Sequence, residues 1–163
     1  MKTENIENYL NSFARQVVKE SQSLLEKDKG NTALGKSIRA TVSTDPNGFS
    51  VKFFMADYGT FIDKGVSGNK VKRSFTNYKG KKESSPYSYT TKQPPSRVLD
   101  KWIVKKGIAP RDKKGRFVSR KSISFLIARS IKAKGIKSVS FFSKPLGINY
   151  KDLQDNFLKQ FSK

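Results

Sequence analysis

The sequence contains neither cysteine nor histidine. Without cysteine the chain can form no disulfide and no thiolate metal site. Without histidine it lacks the most frequent general base, the most frequent metal ligand and every pair in which histidine activates a serine or cysteine nucleophile. It also lacks an apolar run long enough to span a bilayer and the core of a signal peptide, so we expect no membrane partner. A non-catalytic protein without a cofactor is the simplest interpretation.

Acidic residues are few, 13 against 34 Lys and Arg, and the net charge is +21. Residues 64–137 hold 22 of the basic residues and three acids, a net charge of +19, whereas the remaining 89 residues carry only +2. Such a concentrated field repels copies of itself unless water or an anionic partner neutralises it. Nucleic acid, an acidic protein neighbour and open solvent all fit this charge, and composition does not separate them.

The first third of the chain predicts a helix followed by a hairpin. Apolar residues spaced by three and four indicate an amphipathic helix over 4–28, ended by Gly30. Alternating apolar residues then indicate two strands, around 38–42 and 49–55, joined by the turn "TDPNG". The helix is expected to cover the apolar face of the hairpin. Because two strands alone are marginally stable, a third strand should come from elsewhere in the chain or from a neighbouring copy.

The middle of the chain divides into an arm and a basic helical insertion. Residues 66–95 show no helical period, and we interpret them as an extended arm that becomes ordered on a partner. Residues 96–137 predict helices at 96–106 and 119–134, with Ser96 and Ser119 as N-caps. Leu126 is expected to join the buried isoleucines of the second helix, and Trp102 to lie in the core or at an interface. The arm contacts are assigned to four aromatic residues, Phe75, Tyr78, Tyr87 and Tyr89.

The end of the chain predicts a strand and a last helix. Bulky residues at Val139, Phe141 and Phe142 favour a third strand. Asn149 is then expected to cap a helix whose buried side carries Tyr150, Leu153, Phe157 and Phe161. The whole chain is thus one α+β domain, a small antiparallel sheet packed by N- and C-terminal helices, with its core in residues 1–66 and 138–163.

The segment "ADYGTFIDKGVSGNK", residues 56–70, holds the best candidate for a catalytic pair. Asp57 and Asp63 stand six residues apart beside Lys64, so they could share a Mg²⁺ ion while the lysine holds a phosphate, as in a nuclease. Such sites usually need three or more acidic or histidine ligands, and Asp45 of the hairpin turn points away in this interpretation. We therefore favour structural roles, with Asp57 as the cap of a short helix and Asp63 as a surface or subunit-interface partner of a basic residue.

Two further features of this region each allow a structural and a functional interpretation. The "GVSGNK" loop lacks the spacing of a phosphate-binding loop, and we expect its glycines to allow positive φ at a turn. The tyrosines of the arm stand among lysines. This mixture suits stacking on single-stranded bases and suits a hydrated protein–protein contact equally well.

Three short motifs occur in order along the chain: "NTALGKSI" at 31–38, "YGTFIDKGV" at 58–66 and "SVSFFSKPL" at 138–146. In kind and order they resemble motifs of the tail-completion family of tailed bacteriophages, also called neck or head–tail connector proteins, which is related to the tail-terminator proteins. The resemblance covers about residues 1–66 and 138–163, and the basic middle is an elaboration beyond it. The chain departs from the family motifs at Asn31-Thr32, Gly59 and Val66 and in lacking the arginine of the third motif.

This resemblance implies a virion structural protein that forms a closed ring of about six or twelve copies in the neck of the particle. Such rings stack below the portal and adaptor, join them to the tail and surround the channel through which the genomic DNA passes. The protein would lie at the head–tail junction and, during assembly, in the host cytoplasm. The resemblance also implies a structural corner at the subunit interface, built from Asp57, Tyr58, Phe61, Asp63 and Gly65.

The basic insertion is expected to contact DNA or acidic protein neighbours. A second hypothesis, of a different class, is a monomeric or dimeric nucleic-acid-binding protein that uses the same cations, and a third is the metal-dependent nuclease. The residues assigned to the DNA or acidic-partner contact are Lys105, Lys106, Arg111, Lys113, Lys114, Arg116, Arg120 and Lys121.

Overall fold

The structure, a computed structural model, describes residues 3–30, 32–46 and 48–161, with side chains at 5–30, 32–46 and 48–156. Within these ranges the chain forms six helices and two antiparallel sheets of two strands, which confirms the predicted α+β class. In chain order the elements are α1 (Thr3–Lys29), α2 (Ala33–Ser37), β1 (Arg39–Asp45), β2 (Gly48–Phe54), α3 (Gly59–Lys64), β3 (Ser74–Thr76), β4 (Lys82–Ser84), α4 (Ser96–Lys105), α5 (Arg120–Lys134) and α6 (Ser143–Phe161).

Helix α1 and the β1–β2 hairpin form as predicted. The helix ends where Gly30 adopts a φ of +75° and its N–H donates to the Glu26 carbonyl at 2.7 Å. Positive φ is a conformation that glycine adopts at little cost, so this residue ends the helix cleanly. In the hairpin Ala40 pairs with Phe53 and Val42 with Val51, which puts these four residues on one face, and α1 packs over the two strands. The turn residue Asn47 and the motif residue Asn31 lie outside the described residues.

The core lies between α1, α2 and the segment before α6. Thr32 caps α2, accepting from the Gly35 N–H at 3.3 Å, so the motif "NTALGKSI" forms a short helix before the strand begins. Partly buried hydrophobic residues, among them Met55, Ile62 and Phe142, surround the core. Its fully buried members are Leu25, Leu34, Ile38 and Phe141.

The predicted third strand at 139–142 is wrong. Ser140 has a φ of +50°, which breaks the extended conformation, and in the described chain this region contributes one isolated bridge, between Val66 and Ile136. Phe141 and Phe142 are therefore buried by a turn that enters α6, and ring contacts join Phe142 to Phe53 at 5.3 Å. Two adjacent buried aromatics are poorly compatible with the alternating faces of a strand.

Helix α6 begins at Ser143, seven residues before the predicted first helical residue, Tyr150, and Asn149 is not its cap. Asn149 lies buried inside the helix, where its amide donates to the Pro145 carbonyl at 2.9 Å and to Glu20 of α1 at 2.8 Å. Tyr150 is 42% exposed, which contradicts its predicted burial. The side chains of Phe157 and Phe161 lie outside the described residues.

Much of the predicted arm folds on its own chain. Strands β3 and β4 pair with each other, and Ser67 exchanges two backbone hydrogen bonds with Tyr87 and Tyr89, both at 2.8 Å. Phe75 is 7% exposed, so it is a core residue and not a contact for a partner. The expectation that residues 66–95 need a partner to become ordered is thus wrong for this part of the arm.

Helices α4 and α5 pack mainly on each other and form a helical hairpin. Ser119 caps α5 as predicted, but Pro95 and not Ser96 occupies the N-cap position of α4. Leu126 is 54% exposed, so its predicted burial is wrong, and the buried residues of α5 are instead the small Ser124 and Ala128. The hairpin joins the remainder of the chain where the last turn of α5 accepts two backbone hydrogen bonds from residues 69–70.

Candidate functional site

Asp63 is buried at the centre of the predicted corner and binds the start of α6. It is 3% exposed. One carboxylate oxygen accepts from the N–H groups of Phe142, at 2.8 Å, and Ser143, at 3.1 Å, and the other accepts from the Ser143 hydroxyl. A carboxylate at a helix N-terminus satisfies free N–H groups and interacts favourably with the helix dipole. Asp63 therefore caps α6 from a position 80 residues away, and its predicted place at the surface is wrong.

Asp57 is exposed and does not cap α3. Tyr58 occupies the N-cap position, no side chain caps that helix, and the contact of Asp57 is its backbone carbonyl, which accepts from the Thr60 hydroxyl at 3.2 Å. The carboxylate of Asp63 faces α6, so the two acids do not form the metal-binding pair that a nuclease would need. In the described part of the chain no group of three or more acidic residues is arranged to hold a metal ion.

Glycines allow two backbone segments to cross beside this corner. Gly65 has a φ of +71°, as predicted, and a Cβ there would lie 2.8 Å from the carbonyl oxygen of Ile136. Val66 and Ile136 then exchange two backbone hydrogen bonds of 2.9 and 2.8 Å. Gly68 is required for a different reason from the predicted one: its φ is not positive, but a Cβ would collide with the backbone of Ala133.

The exposed side of the corner is aromatic. Tyr58 and Phe61 are 48% and 41% exposed, and the ring of Tyr87 lies 4.5 Å from that of Phe61 at an angle of 60°. Together with Tyr89 they line an open groove of about 640 Å³. Partial burial raises the pKa of the Tyr89 phenol above its usual value. The corner thus has a buried polar half at Asp63 and an accessible apolar half.

The turn between α4 and α5 is a second candidate site, and Asp112 organises it. Its carboxylate accepts from the N–H groups of Lys114 and Arg116, both at 2.9 Å, and pairs with the Arg116 guanidinium at 2.9 Å. Hydrogen bonds from the backbone and side chain of Arg116 and from the backbone of Lys114 lower the pKa of the Asp112 carboxyl. Gly115, at a φ of +78°, closes the turn. These bonds make the turn a fixed loop.

The cations of this turn remain accessible although two of them help to build it. Arg111 donates to the Gly115 carbonyl at 3.0 Å, and its guanidinium lies 4.0 Å from the centre of the Phe117 ring. The eight basic residues predicted to meet an anionic partner are all exposed. We call residues 105–121 the basic tip.

The outer surface of the α4–α5 hairpin also carries apolar side chains. Trp102 is 44% exposed, so it is not a core residue, and Ile103 instead fills the space between the helices. We call the exposed set the shaft; its members are Val98, Trp102, Val104, Phe125 and Leu126, which are 44–68% exposed.

The sequence analysis missed two features of these sites, the contact between Asp63 and Ser143 and the role of Asp112 in the turn. The role of Asp63 depends on Ser143, and a serine followed by Pro145 in "FFSKPLG" is a helix-start signal that places α6 correctly. Asp112 was counted only as one acid among many cations. Its position three residues before Gly115 is a turn signal that indicates its actual role.

Comparison of the chain with protein-family models, curated proteins and solved structures finds no match. Among the described helices, none has the length and apolar character that crossing a bilayer requires.

Proposed function

We propose that this chain is a non-catalytic structural protein that assembles into a closed ring in the neck of a tailed bacteriophage. In this role it joins the portal and adaptor to the tail, around the channel through which the genomic DNA passes. The proposal rests on the resemblance of the three motifs and on the surfaces that the fold leaves uncovered. Its partners are further copies of this chain, portal or adaptor proteins, tail proteins and DNA.

The observation that carries the proposal is the incomplete cover of the apolar surface in a single copy. Five large apolar residues of the shaft are exposed on one helical hairpin, and Tyr58 and Phe61 are exposed at the corner. Val98 and Trp102 stand four residues apart on one face of α4, and neighbouring exposed apolar side chains of this size favour a protein–protein contact. Two separate apolar surfaces on one chain suit a head-to-tail contact, which closes into a ring when the rotation between copies allows it.

The β1–β2 sheet supports assembly for a second reason. In the described chain β1 pairs with β2 alone, so each strand leaves its outer edge without a partner strand. Free strand edges favour the addition of a strand from another chain. A neighbouring copy could therefore extend this sheet while it covers the exposed apolar residues.

A non-catalytic role is supported by the arrangement of the corner. The buried carboxylate of Asp63 is occupied by hydrogen bonds to α6, and Gly65 serves a close backbone crossing. These are structural tasks. The Asp63 carboxylate is therefore not available to activate water or to bind a metal ion, and the exposed Asp57 alone does not make a metal site.

The test is whether the purified protein forms rings and whether the shaft is needed for them. We expect rings in negative-stain electron micrographs and a single large species in size-exclusion chromatography at high salt, where repulsion between the basic segments is screened. The double variant Val98→Ser, Trp102→Ser should lose this species. Phe117→Ser removes an aromatic residue of the basic tip that is 68% exposed, against 44% for Trp102, and should retain the large species. A wild-type protein that stays monomeric at every salt concentration and binds DNA would instead favour the second hypothesis.

A further inference from the structure

The basic tip carries an excess of positive charge. Residues 105–121 contain eight Lys and Arg and one acid, Asp112. That acid is already engaged by two backbone N–H groups and by Arg116. Two of the eight cations, Arg120 and Lys121, lie in the first turn of α5, which holds no acidic residue although a helix N-terminus repels cations. The tip therefore concentrates positive charge that its own chain does not neutralise.

The composition of the tip favours phosphate over protein as the partner. Lysine is depleted in protein–protein interfaces, and five of the eight cations of the tip are lysines. The exposed apolar residues that suit a protein neighbour lie mainly on the shaft. A second copy of the chain is unsuitable at the tip, because two tips of like charge repel each other.

The aromatic residue of the tip favours a double helix over a single strand. Phe117 is 68% exposed, but the Arg111 guanidinium lies 4.0 Å from its ring centre and covers one face. Stacking on unpaired bases needs accessible aromatic faces. Contact with the phosphates of a duplex needs only accessible cations in a fixed array.

We propose that the basic tip binds the phosphate backbone of double-helical DNA without reading its sequence, and that Asp112 is a positioning residue for this contact. Asp112 holds the loop through the N–H groups of Lys114 and Arg116, so the cations of the loop are presented in one arrangement before binding. A loop that is ordered in advance loses less side-chain and backbone freedom when it meets its partner. Asp112 thus increases the affinity of the tip for DNA by ordering its cations, although its own negative charge is repelled by phosphate.

The first experiment measures binding of the full chain to a fluorescent duplex of about 30 base pairs by anisotropy over a range of salt concentrations. A tip variant and a control variant change the net charge equally, and circular dichroism verifies that both are folded. The tip variant combines Lys105→Gln, Lys106→Gln, Lys113→Gln and Lys114→Gln. The control replaces four exposed lysines that lie outside the basic tip, in α1, α2 and β2, by glutamine: Lys19, Lys27, Lys36 and Lys52.

We expect the tip variant to lose affinity for the duplex by about tenfold or more, because each phosphate contact contributes about 0.9 to the slope of log affinity against log salt. The slope itself should fall by about two or more. The control should bind within about threefold of the wild type. Equal losses in the two variants would show that net charge alone governs binding and would overturn the proposal. Tighter binding to a single strand of the same length would overturn it as well.

The second experiment compares Asp112→Ala with Asp112→Asn. Both variants have the same net charge, one unit above the wild type, but asparagine keeps an oxygen that can accept from Lys114 and Arg116. We expect the asparagine variant to bind the duplex at least as tightly as the wild type, and the alanine variant to bind about fivefold more weakly than the asparagine variant. Equal affinities of the two variants would refute the positioning role.

Polyglutamate serves as the probe for an acidic protein partner. If the wild type binds polyglutamate through the tip but does not bind the duplex, the partner of the tip is an acidic protein surface and the proposal is wrong. The inference does not rest on ring formation, because one copy carries the whole tip. A protein that fails to form rings can still bind DNA through the tip, so the two proposals fail separately.

Discussion

Replacing Asp63 by alanine tests whether the corner is a structural joint between α3 and α6. The substitution removes the acceptor of two backbone N–H groups and one hydroxyl in a buried site. Loss of a helix cap costs about 1 kcal/mol, and each of the two buried donors of Ser143, left without a partner, costs a further 1 kcal/mol, roughly. We therefore expect Asp63→Ala to lower the free energy of unfolding by about 3 kcal/mol.

Thermal unfolding followed by circular dichroism measures this effect. In a chain of 163 residues a loss of 3 kcal/mol lowers the melting temperature by about 6–12 °C. Asp63→Asn keeps one acceptor oxygen and should lose about half as much stability. The matched control is Asp57→Ala, an exposed acid of the same segment, which should change stability by less than about 0.5 kcal/mol.

A double-mutant cycle shows whether the capping contact is the cause. Ser143→Ala should destabilise the wild type by about 1 kcal/mol, because it removes the hydroxyl that donates to Asp63. In the Asp63→Ala background the same change should cost little, since its partner is already absent. Equal effects of Ser143→Ala in both backgrounds, or an Asp63→Ala variant as stable as Asp57→Ala, would refute the reasoning.

Three further predictions address the backbone crossing at Gly65, the turn at Asp112 and the shaft. Gly65→Ala should lower the free energy of unfolding by more than 2 kcal/mol, roughly, because its Cβ would lie 2.8 Å from backbone atoms. The control Gly80→Ala has a similar φ of +73° but lies in open space, so it should cost about 1 kcal/mol, and urea unfolding compares the two variants. The pKa of Asp112 is lowered in the folded chain. The hydrogen bonds that order the turn should therefore be present above the pKa of the unfolded chain and be lost as the pH falls through the lower pKa of the folded chain. NMR titration of the backbone amides of the turn measures this loss, and a midpoint at the usual aspartate pKa would contradict the prediction. Trp102→Ala should leave the stability of the monomer within about 1 kcal/mol, because the side chain is 44% exposed, yet weaken association; a large fall in the melting temperature of the monomer would contradict the assignment of Trp102 to an interface.

Local patterns were sufficient to predict α1 and the two strands of the hairpin, but not α2. The observed pairing of Ala40 with Phe53 and of Val42 with Val51 agrees with the alternation of apolar residues, because a one-residue shift would turn every side chain to the other face. The end of α1 at Gly30 and the start of α5 at Ser119 were predicted, because the roles of these two residues depend only on neighbouring residues.

Long-range contacts account for most of what the sequence did not predict. Phe141 and Phe142 have strand-forming character, but the turn at Ser140 places both in the interior beside α6. The bond between Asp63 and Ser143 joins residues that are 80 positions apart, and no local pattern signals it. The order within 66–95 likewise depends on contacts of Ser67 with Tyr87 and Tyr89 that only the folded chain brings together.

The sequence predicted which residues belong to the candidate sites better than it predicted their positions and contacts. The sequence marked Asp63 and the basic residues of the turn, but their partners decide what they do. Asp63 is a cap because α6 begins beside it, and Asp112 is the organiser of the tip because Gly115 lets the chain turn back. In both cases the charge of an aspartate serves a hydrogen-bonding role in the structure.

Native mass spectrometry of the purified chain tests the proposed ring most directly. A closed ring predicts one dominant oligomer with a fixed number of copies, which persists on dilution at high salt and is lost in the Val98→Ser, Trp102→Ser variant. A monomer at every concentration, or an unlimited ladder of oligomers without a preferred size, would contradict the proposal.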